Sequence, residues 1–219
     1  MKEKKLKHQY TIDGFKEKPV YNFIKRLFDI IFSTLALIIL SPIFLILSIM
    51  VKFDKSKGSV IYVSKRVGKG GKVFNFYKFR SMHADADETI STLQEINETG
   101  GPTFKMKNDP RITKIGRFLR KTSLDELPQL FNILKGDMSF IGPRPPMLRE
   151  VENSPNYPME RLAVVGGLSC YWQIMGRSLI DFNGMVELDL KYIKERSLWT
   201  DLKILFLTIP AVLKGNGAY

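Results

Sequence analysis

"IIFSTLALIILSPIFLILSIMV" (Ile30–Val51) carries no charged residue over 22 positions. As one straight helix it would reach roughly 33 Å, enough to cross a hydrocarbon core. Ser41-Pro42 falls at its midpoint. Proline has no N–H, so the Ile38 carbonyl loses its helical partner and the ring forces a kink. The Ser41 hydroxyl can fold back onto a carbonyl three or four residues earlier, which makes such a break tolerable in lipid. Three readings compete: a kinked spanning helix, a re-entrant hairpin in one leaflet, or a buried core helix.

The flanks favour the hairpin. Lys2, Lys4, Lys5, Lys7, Lys16, Lys18, Lys25 and Arg26 precede the run, against Glu3, Asp13 and Glu17. Lys52, Lys55, Lys57, Lys65, Arg66, Lys69 and Lys72 follow it, against Asp54. A positive-inside bias holds both ends on one side, and a straight span would have to send one basic flank across. The run is too long for the apolar stretch of a cleaved signal, and no small-x-small site follows it. The expected organisation is a basic segment 1–26, a re-entrant helix 27–52 broken at Ser41 and Pro42, and a domain 53–219 outside the membrane.

The chain has 219 residues and a net charge of +12. That length holds one good core. The charge suits nucleic acid, anionic lipid or phosphorylated substrates. Cys170 is the single cysteine, so no internal disulfide forms and a reducing compartment is the simplest reading. There is no CxxC or HExxH pattern, and no helix-turn-helix, zinc-finger or RNP-like string, which argues against a nucleic-acid partner.

After Lys52 the composition turns mixed, and α+β is the expected class. Val60–Ser64 and Val73–Phe79 read as two strands joined by Gly-rich "GKGG", a hairpin turn whose glycines could alternatively form a phosphate nest. "HADADETISTLQEINETGG" (83–101) reads as a solvated helix and loop. "ITKIGRFLRKT" (112–122) has Ile112, Ile115 and Leu119 on one helical face, with basic residues largely opposite. That basic face is either solvated or laid on anionic headgroups. "DFNGMVELDLKYIKERS" (181–197) reads as an amphipathic helix. "WTDLKILFLTIPAVLKG" (199–215), too short to span, suits either an interfacial helix or one packed in the core.

Asp125-Glu126 stands where a helix begins. With Ser123 as N-cap, Pro128 would clash inside the helix. With Asp125 as N-cap, Pro128 falls in the first turn, where its missing N–H costs nothing, and this register is preferred. Either register puts Asp125 at a positive helix end that keeps it ionised and attracts phosphate. "GPRPP" mounts Arg144 stiffly between prolines, ready to meet a phosphate bidentately. Lys78 and Arg80 close the second strand, and Arg120 lies five residues before Asp125. These four cations are the expected phosphate-binding residues. The plainer reading of the same residues is helix capping and a surface ion pair.

The strings taken together resemble the bacterial sugar transferases, the monotopic phosphoglycosyl transferases, over roughly Tyr21–Tyr219. The matching pieces are "KRLFDI" (25–30) leading into the Ser-Pro-broken run, "YKFRSM" (77–82), "NDPRITKIGRFLRKTSLDELPQLFNILKGDMSFIGPRPP" (108–146), "GGLSCYWQIMGR" (166–177), "LDLKYIKERSLWTDLKILFLT" (188–208) and "GAY" (217–219). Gly166 departs from the pattern, since the family more often has proline there. The chain looks like the minimal catalytic form, without the N-terminal bundle of longer relatives.

The resemblance implies transfer of a sugar-1-phosphate from a UDP-sugar to polyprenol phosphate, releasing UMP. It makes Asp125 the nucleophile of a covalent phosphosugar intermediate and Glu126 its partner. It also implies Mg²⁺ near Asp125, phosphate handling by Arg120 and Arg144, and a re-entrant membrane hairpin. The cytoplasmic face of a bacterial inner membrane is the implied location. A homodimer is one assembly open to it. Glucose or galactose is the expected sugar, with an N-acetylated sugar as the alternative. A hydrolase acting on the same intermediate and a membrane-anchored scaffold are the rivals.

Overall fold

The computed structural model describes residues 15–54, 56–89, 106, 108–176 and 179–214. Most of the solvated helix expected in 83–101, the basic tail 1–14 and the final Gly-Ala-Tyr lie outside these residues, while 84–89 form turns. The chain opens with helix α1 (Pro19–Ile39), so residues 19–26 of the basic segment are helical. Helix α2 (Ser41–Lys52) follows after a 63° bend at Leu40. The bend has the cause read from the sequence. Pro42 supplies no N–H, and Ser41 Oγ instead donates to the Ile38 carbonyl at 2.8 Å. Among the described residues no single helix is long and apolar enough to cross a membrane; the bent pair passes that test by length and composition only.

Both helices lie along the domain with one face and leave the other open. Asp201 accepts from Tyr21 at 2.8 Å and from Lys25 at 2.5 Å. Arg26 donates to the carbonyls of Ile133 and Leu134 at 2.6 and 2.7 Å. Asp29, buried, accepts from Ser139 Oγ at 3.0 Å and Phe140 N at 3.1 Å. Ala36, Leu37, Leu40 and Phe44 then pack on Phe74, Phe76, Leu130, Ile133 and Met138. Leu47 and Val51 close a second cluster with Phe79 and Leu119. Each such fully buried side chain contributes about 1.5–3 kcal/mol. On the opposite face Phe23 is 72% and Ile39 71% exposed.

Strands β1 (Ile61–Val67) and β2 (Val73–Phe79) form the expected antiparallel hairpin, registered from Ile61 opposite Phe79 to Val67 opposite Val73. The first strand runs three residues beyond Ser64. Its turn is a tight 3₁₀ loop, Lys69–Gly71, in which Gly70 has φ 65° and Gly71 φ 79°. Glycine adopts that left-handed region without cost. The β2 edge is not left bare. Asn132 Nδ2 donates to Asn75 O at 2.6 Å, and its Oδ1 accepts from Tyr77 N at 3.1 Å. A side-chain amide thus replaces a missing neighbouring strand.

Helix α3 (Lys114–Thr122) starts at Thr113, whose hydroxyl accepts from Gly116 N at 2.9 Å. It ends at Ser123 in the left-handed conformation, φ 58°. A 3₁₀ turn, Leu124–Glu126, follows, and helix α4 (Gln129–Lys135) has Pro128 as its N-cap. This corrects the register: Asp125 is not the N-cap, and neither sequence reading holds. Pro128 still sits where its missing N–H costs nothing, at the N-cap and not at the third helical position expected.

Short strands β3 (Ser139–Ile141) and β4 (Gly167–Ser169) pair in parallel, an element absent from the sequence reading. Between them lies α5 (Leu148–Glu152). Helices α6 (Tyr171–Met175), α7 (Phe182–Glu195) and α8 (Leu198–Lys214) complete the domain. Asp181 caps α7 through Gly184 N at 2.9 Å. Helix α8 packs one side against the core and leaves another open. Ile204 is fully buried, while Trp199 and Phe206 are exposed.

Gly116 tests the packing of α3. A Cβ there would lie 1.9 Å from the Ser81 carbonyl oxygen. Alanine favours a helix interior over glycine by about 1 kcal/mol, but a backbone clash outweighs that gain. Gly116→Ala is expected to destabilise the chain by about 1–3 kcal/mol. Thermal unfolding in detergent would show a lowered Tm; a raised Tm would mean that α3 does not rest on Ser81.

Candidate active site

The 3₁₀ turn after α3 delivers Asp125 and Glu126 into a cleft of about 720 Å³. Asp125 is buried at its wall. The end of β2 brings Lys78 to both. Its Nζ lies 3.2 Å from Asp125 Oδ2 and 2.9 Å from Glu126 Oε1. Arg144 Nη1 reaches the same Glu126 oxygen at 3.3 Å. Burial alone would raise the Glu126 carboxyl, but the charges of Lys78 and Arg144 prevail and hold it down to about 2, from an ordinary 4.5. Adjacent carboxylates repel, and these cations keep Glu126 ionised beside Asp125.

The other expected cations fall into place unequally. Arg120 lines the cleft, and its Nε donates to Ser81 Oγ at 3.0 Å. Burial lowers its pKa, opposed by the nearby charges of Asp125 and Asp109. Arg80 lines the cleft too, but its guanidinium is occupied elsewhere: Nε donates to Ser59 O at 2.7 Å, and the group lies 5.7 Å over the Tyr62 ring. The structure therefore gathers Asp125, Glu126, Lys78 and Arg144 in contact, with Arg120 alongside and Arg80 on an outer wall. Ser41 and Pro42 lie at the helix bend.

Arg144 rides on a strap, Pro143–Met147, made rigid by its prolines. The carbonyls of its three prolines all accept hydrogen bonds: Pro143 O from Gly167 N at 2.9 Å, Pro145 O from Arg66 Nη1 at 2.7 Å, and Pro146 O from Val67 N at 3.0 Å. Gly166 permits the close approach beneath, since a Cβ there would lie 2.6 Å from Pro145 Cγ and 2.9 Å from Pro143 O.

Sequence reasoning missed Arg66, Ser81 and the buried pair in which Arg111 Nη2 lies 2.6 Å from Asp109 Oδ2. A signal for Arg66 existed. Tyr62, Ser64 and Arg66 alternate along β1, so they share one face of the hairpin, and all three line the cleft.

Among the described residues no three His, Cys, Asp or Glu side chains gather as a metal cage. One or two carboxylates, with water and substrate phosphate supplying the remaining ligands, are a common magnesium donor set. Asp125 and Glu126 offer that set, and the Lys78 ammonium between their oxygens marks where positive charge is favoured.

The pair gives a pH prediction. Because the folded-state pKa of Glu126 is depressed, the stability its ion pairs add is present above the ordinary value near 4.5 and lost as pH falls toward 2. In Arg144→Ala the Glu126 carboxyl should titrate closer to its ordinary value, read by carboxyl-carbon NMR. No upward movement would mean that Lys78 alone sets it.

Comparison with known proteins follows the same lines. The family described as bacterial sugar transferase matches residues 20–215. The chain is 46% identical over 195 residues to the galactosyl transferase CpsE of Streptococcus agalactiae serotype III, covering 89% of this chain and 43% of that protein. It is 45% identical over 201 residues to the undecaprenyl-phosphate galactose phosphotransferase of Salmonella typhimurium, covering 90% of this chain and 42% of that one. It is 41% identical over 206 residues to the exopolysaccharide production protein ExoY of Rhizobium meliloti, covering 92% and 91%. The chain thus spans less than half the length of the first two relatives and nearly all of the third. With the family match running from α1 to the end of α8, this chain belongs to the bacterial sugar transferase family.

Proposed function

We propose that this chain transfers a hexose-1-phosphate from a UDP-sugar to polyprenyl phosphate at the cytoplasmic face of a bacterial inner membrane. The observation that carries the reading is the Asp125–Glu126 pair, buried in a cleft and bracketed by Lys78 and Arg144. Two relatives named for galactose transfer, one of them onto undecaprenyl phosphate, support the reaction class. Galactose or glucose is the proposed sugar.

In this reading an Asp125 carboxylate oxygen attacks the sugar-bearing phosphorus. The bond from that phosphorus to the bridging oxygen breaks, and UMP leaves with the electron pair. A phosphate oxygen of the lipid then attacks the aspartyl phosphate, freeing the carboxylate and forming a lipid diphosphate sugar. The two steps share one nucleophile and predict ping-pong kinetics. Both steps bring anions together, and Lys78, Arg120 and Arg144 screen that repulsion. Glu126, held ionised, keeps Lys78 and Arg144 aimed at the dyad. Bound Mg²⁺, held by Asp125 with Glu126 beside it, would supply further charge neutralisation at the transferring phosphoryl group.

The lipid substrate places its phosphate at a membrane surface. The proposed anchor is the bent α1–α2 pair, dipping into one leaflet, with α8 lying at the interface. The open apolar faces of these helices support it. So does the seating of α1 on the domain from Tyr21 to Leu40, which leaves it unlike a free span. Tags at both termini should label from the same side of sealed vesicles; labelling from opposite sides would replace the hairpin by a span.

Intact-protein mass spectrometry with Mg²⁺ and a panel of UDP-hexoses and N-acetylated UDP-sugars, without lipid, tests the chemistry. A sugar-phosphate adduct with UMP release is expected on wild type and not on Asp125→Asn. Lipid-dependent UMP release without an adduct would show direct transfer instead. Free sugar phosphate formed in the presence of lipid would show a hydrolase.

A further inference from the structure

Arg66 is 4% exposed, deep in the cleft wall. Buried arginines are ordinarily paired with a carboxylate. This one is not. Its Nη1 donates to Pro145 O at 2.7 Å, its Nε meets no partner, and no ion pair is formed among the described residues. The guanidinium lies 4.7 Å over the Phe76 ring, so part of its charge is met by a π face. Burial, and then repulsion from Arg144, lower its pKa to about 10 against the weaker effects of the Glu150 and Glu126 charges, which leaves it charged at neutral pH. A buried cation thus faces a second cation across one proline.

The strap explains why a side-chain donor is needed at that point. Pro143, Pro145 and Pro146 have no N–H, so the strap meets the β1 edge largely as an acceptor. Val67 N reaches Pro146 O, and Arg66 stands opposite Met147 in a bridge. Without the Arg66 guanidinium, Pro145 O would be a carbonyl without its donor, next to the residue that carries Arg144. Like charge adds a bias: turning back toward Arg66 is unfavourable for the Arg144 guanidinium, and its Nη1 lies instead 3.3 Å from Glu126 Oε1.

We propose that Arg66 is a positioning residue. By holding Pro145 O and repelling Arg144 it presents the Arg144 guanidinium to phosphate, without touching the substrate itself. The role rests on the reading that Arg144 meets a phosphate. It also explains the unpaired charge. A neutral donor could hold the carbonyl but would not turn Arg144 outward, and a carboxylate partner for Arg66 would cancel the repulsion.

The test is a double-mutant cycle on the full chain in detergent, with inorganic pyrophosphate as the probe and calorimetry as the readout. Arg66→Met and Arg144→Ala are each expected to weaken binding about 10- to 100-fold, the range for losing a charged hydrogen bond. The double variant should bind no more than about 3-fold worse than Arg144→Ala, because Arg66 acts only through Arg144. Arg66→Lys, which keeps charge and a donor, should recover part of the loss, and it replaces Arg66→Met in the cycle if Tm shows that variant unfolded. Losses that multiply in the double variant would mean that Arg66 acts independently, and would overturn the proposal. Unchanged binding in Arg66→Met would overturn it as well, as would an Arg66→Lys variant that binds no better than a folded Arg66→Met. If wild type fails to bind pyrophosphate, or Arg144→Ala binds like wild type, the phosphate reading falls and this role falls with it.

Discussion

Two adjacent carboxylates in a partly dry cleft repel each other, and the Lys78 ammonium within 3.2 Å of both relieves that repulsion. Bringing one strand end beneath one helical turn constrains much of the chain. The hairpin must end at Phe79 so that Lys78 points into the cleft. Helix α3 must stop abruptly, and Ser123 in the left-handed conformation makes it stop. The chain then needs a tight turn before α4, and Pro128 suits the start of that helix. The strap adds Arg144 from the far side. None of these elements would need its position if the carboxylates stood apart in water, where the same charges interact by only about 1 kcal/mol at 4 Å.

The bent apolar pair is tied to this arrangement through α4. The dyad precedes the first turn of that helix, and Arg26 of α1 caps its last carbonyls. Cations at a helix C-terminus are favoured by the macrodipole and by the orphan carbonyls there. Asn132, from the middle of α4, seals the β2 edge that leads to Lys78. One helix of seven residues, Gln129–Lys135, therefore links α1, the hairpin and the carboxylate pair. At 1.5 Å per residue it is only about 10 Å long. A shift of α1 against the domain would be felt at the dyad through that short path, and Asp29 on Ser139 and Phe140 restrains such a shift.

Local chemistry was legible in the sequence, and distant pairing was not. The Ser41-Pro42 break and the glycine turn follow from a missing N–H group and left-handed φ values, all within a few residues. The register at Asp125 failed because the sequence reading allowed only an α-helical start, while Ser123 ends α3 and inserts a 3₁₀ turn first. Strands β3 and β4 have three residues each, too short for periodicity to register, and their partners lie 28 residues apart. Arg66 was read only as part of a basic flank. Its burial depends on a strap some 80 residues away, which composition does not reveal.

Net charge alone did not separate phosphate chemistry from nucleic-acid binding, because a sum is blind to place. The structure shows where part of the charge goes. Arg66 is buried in the wall of the cleft that holds the dyad, Lys78 and Arg144 stand at the carboxylates with Arg120 alongside, and Arg111 and Arg161 are buried at the same cleft against Asp109 and Asp189. A surface that tracks a nucleic-acid backbone needs its cations exposed in a row, where they can displace counterions. Cations sunk around two carboxylates do the opposite. They lose hydration, and that burial, with repulsion from Arg144 added, depresses the pKa of Arg66. That is an unfavourable way to arrange charge unless something anionic, and small enough to enter the cleft, comes to occupy it.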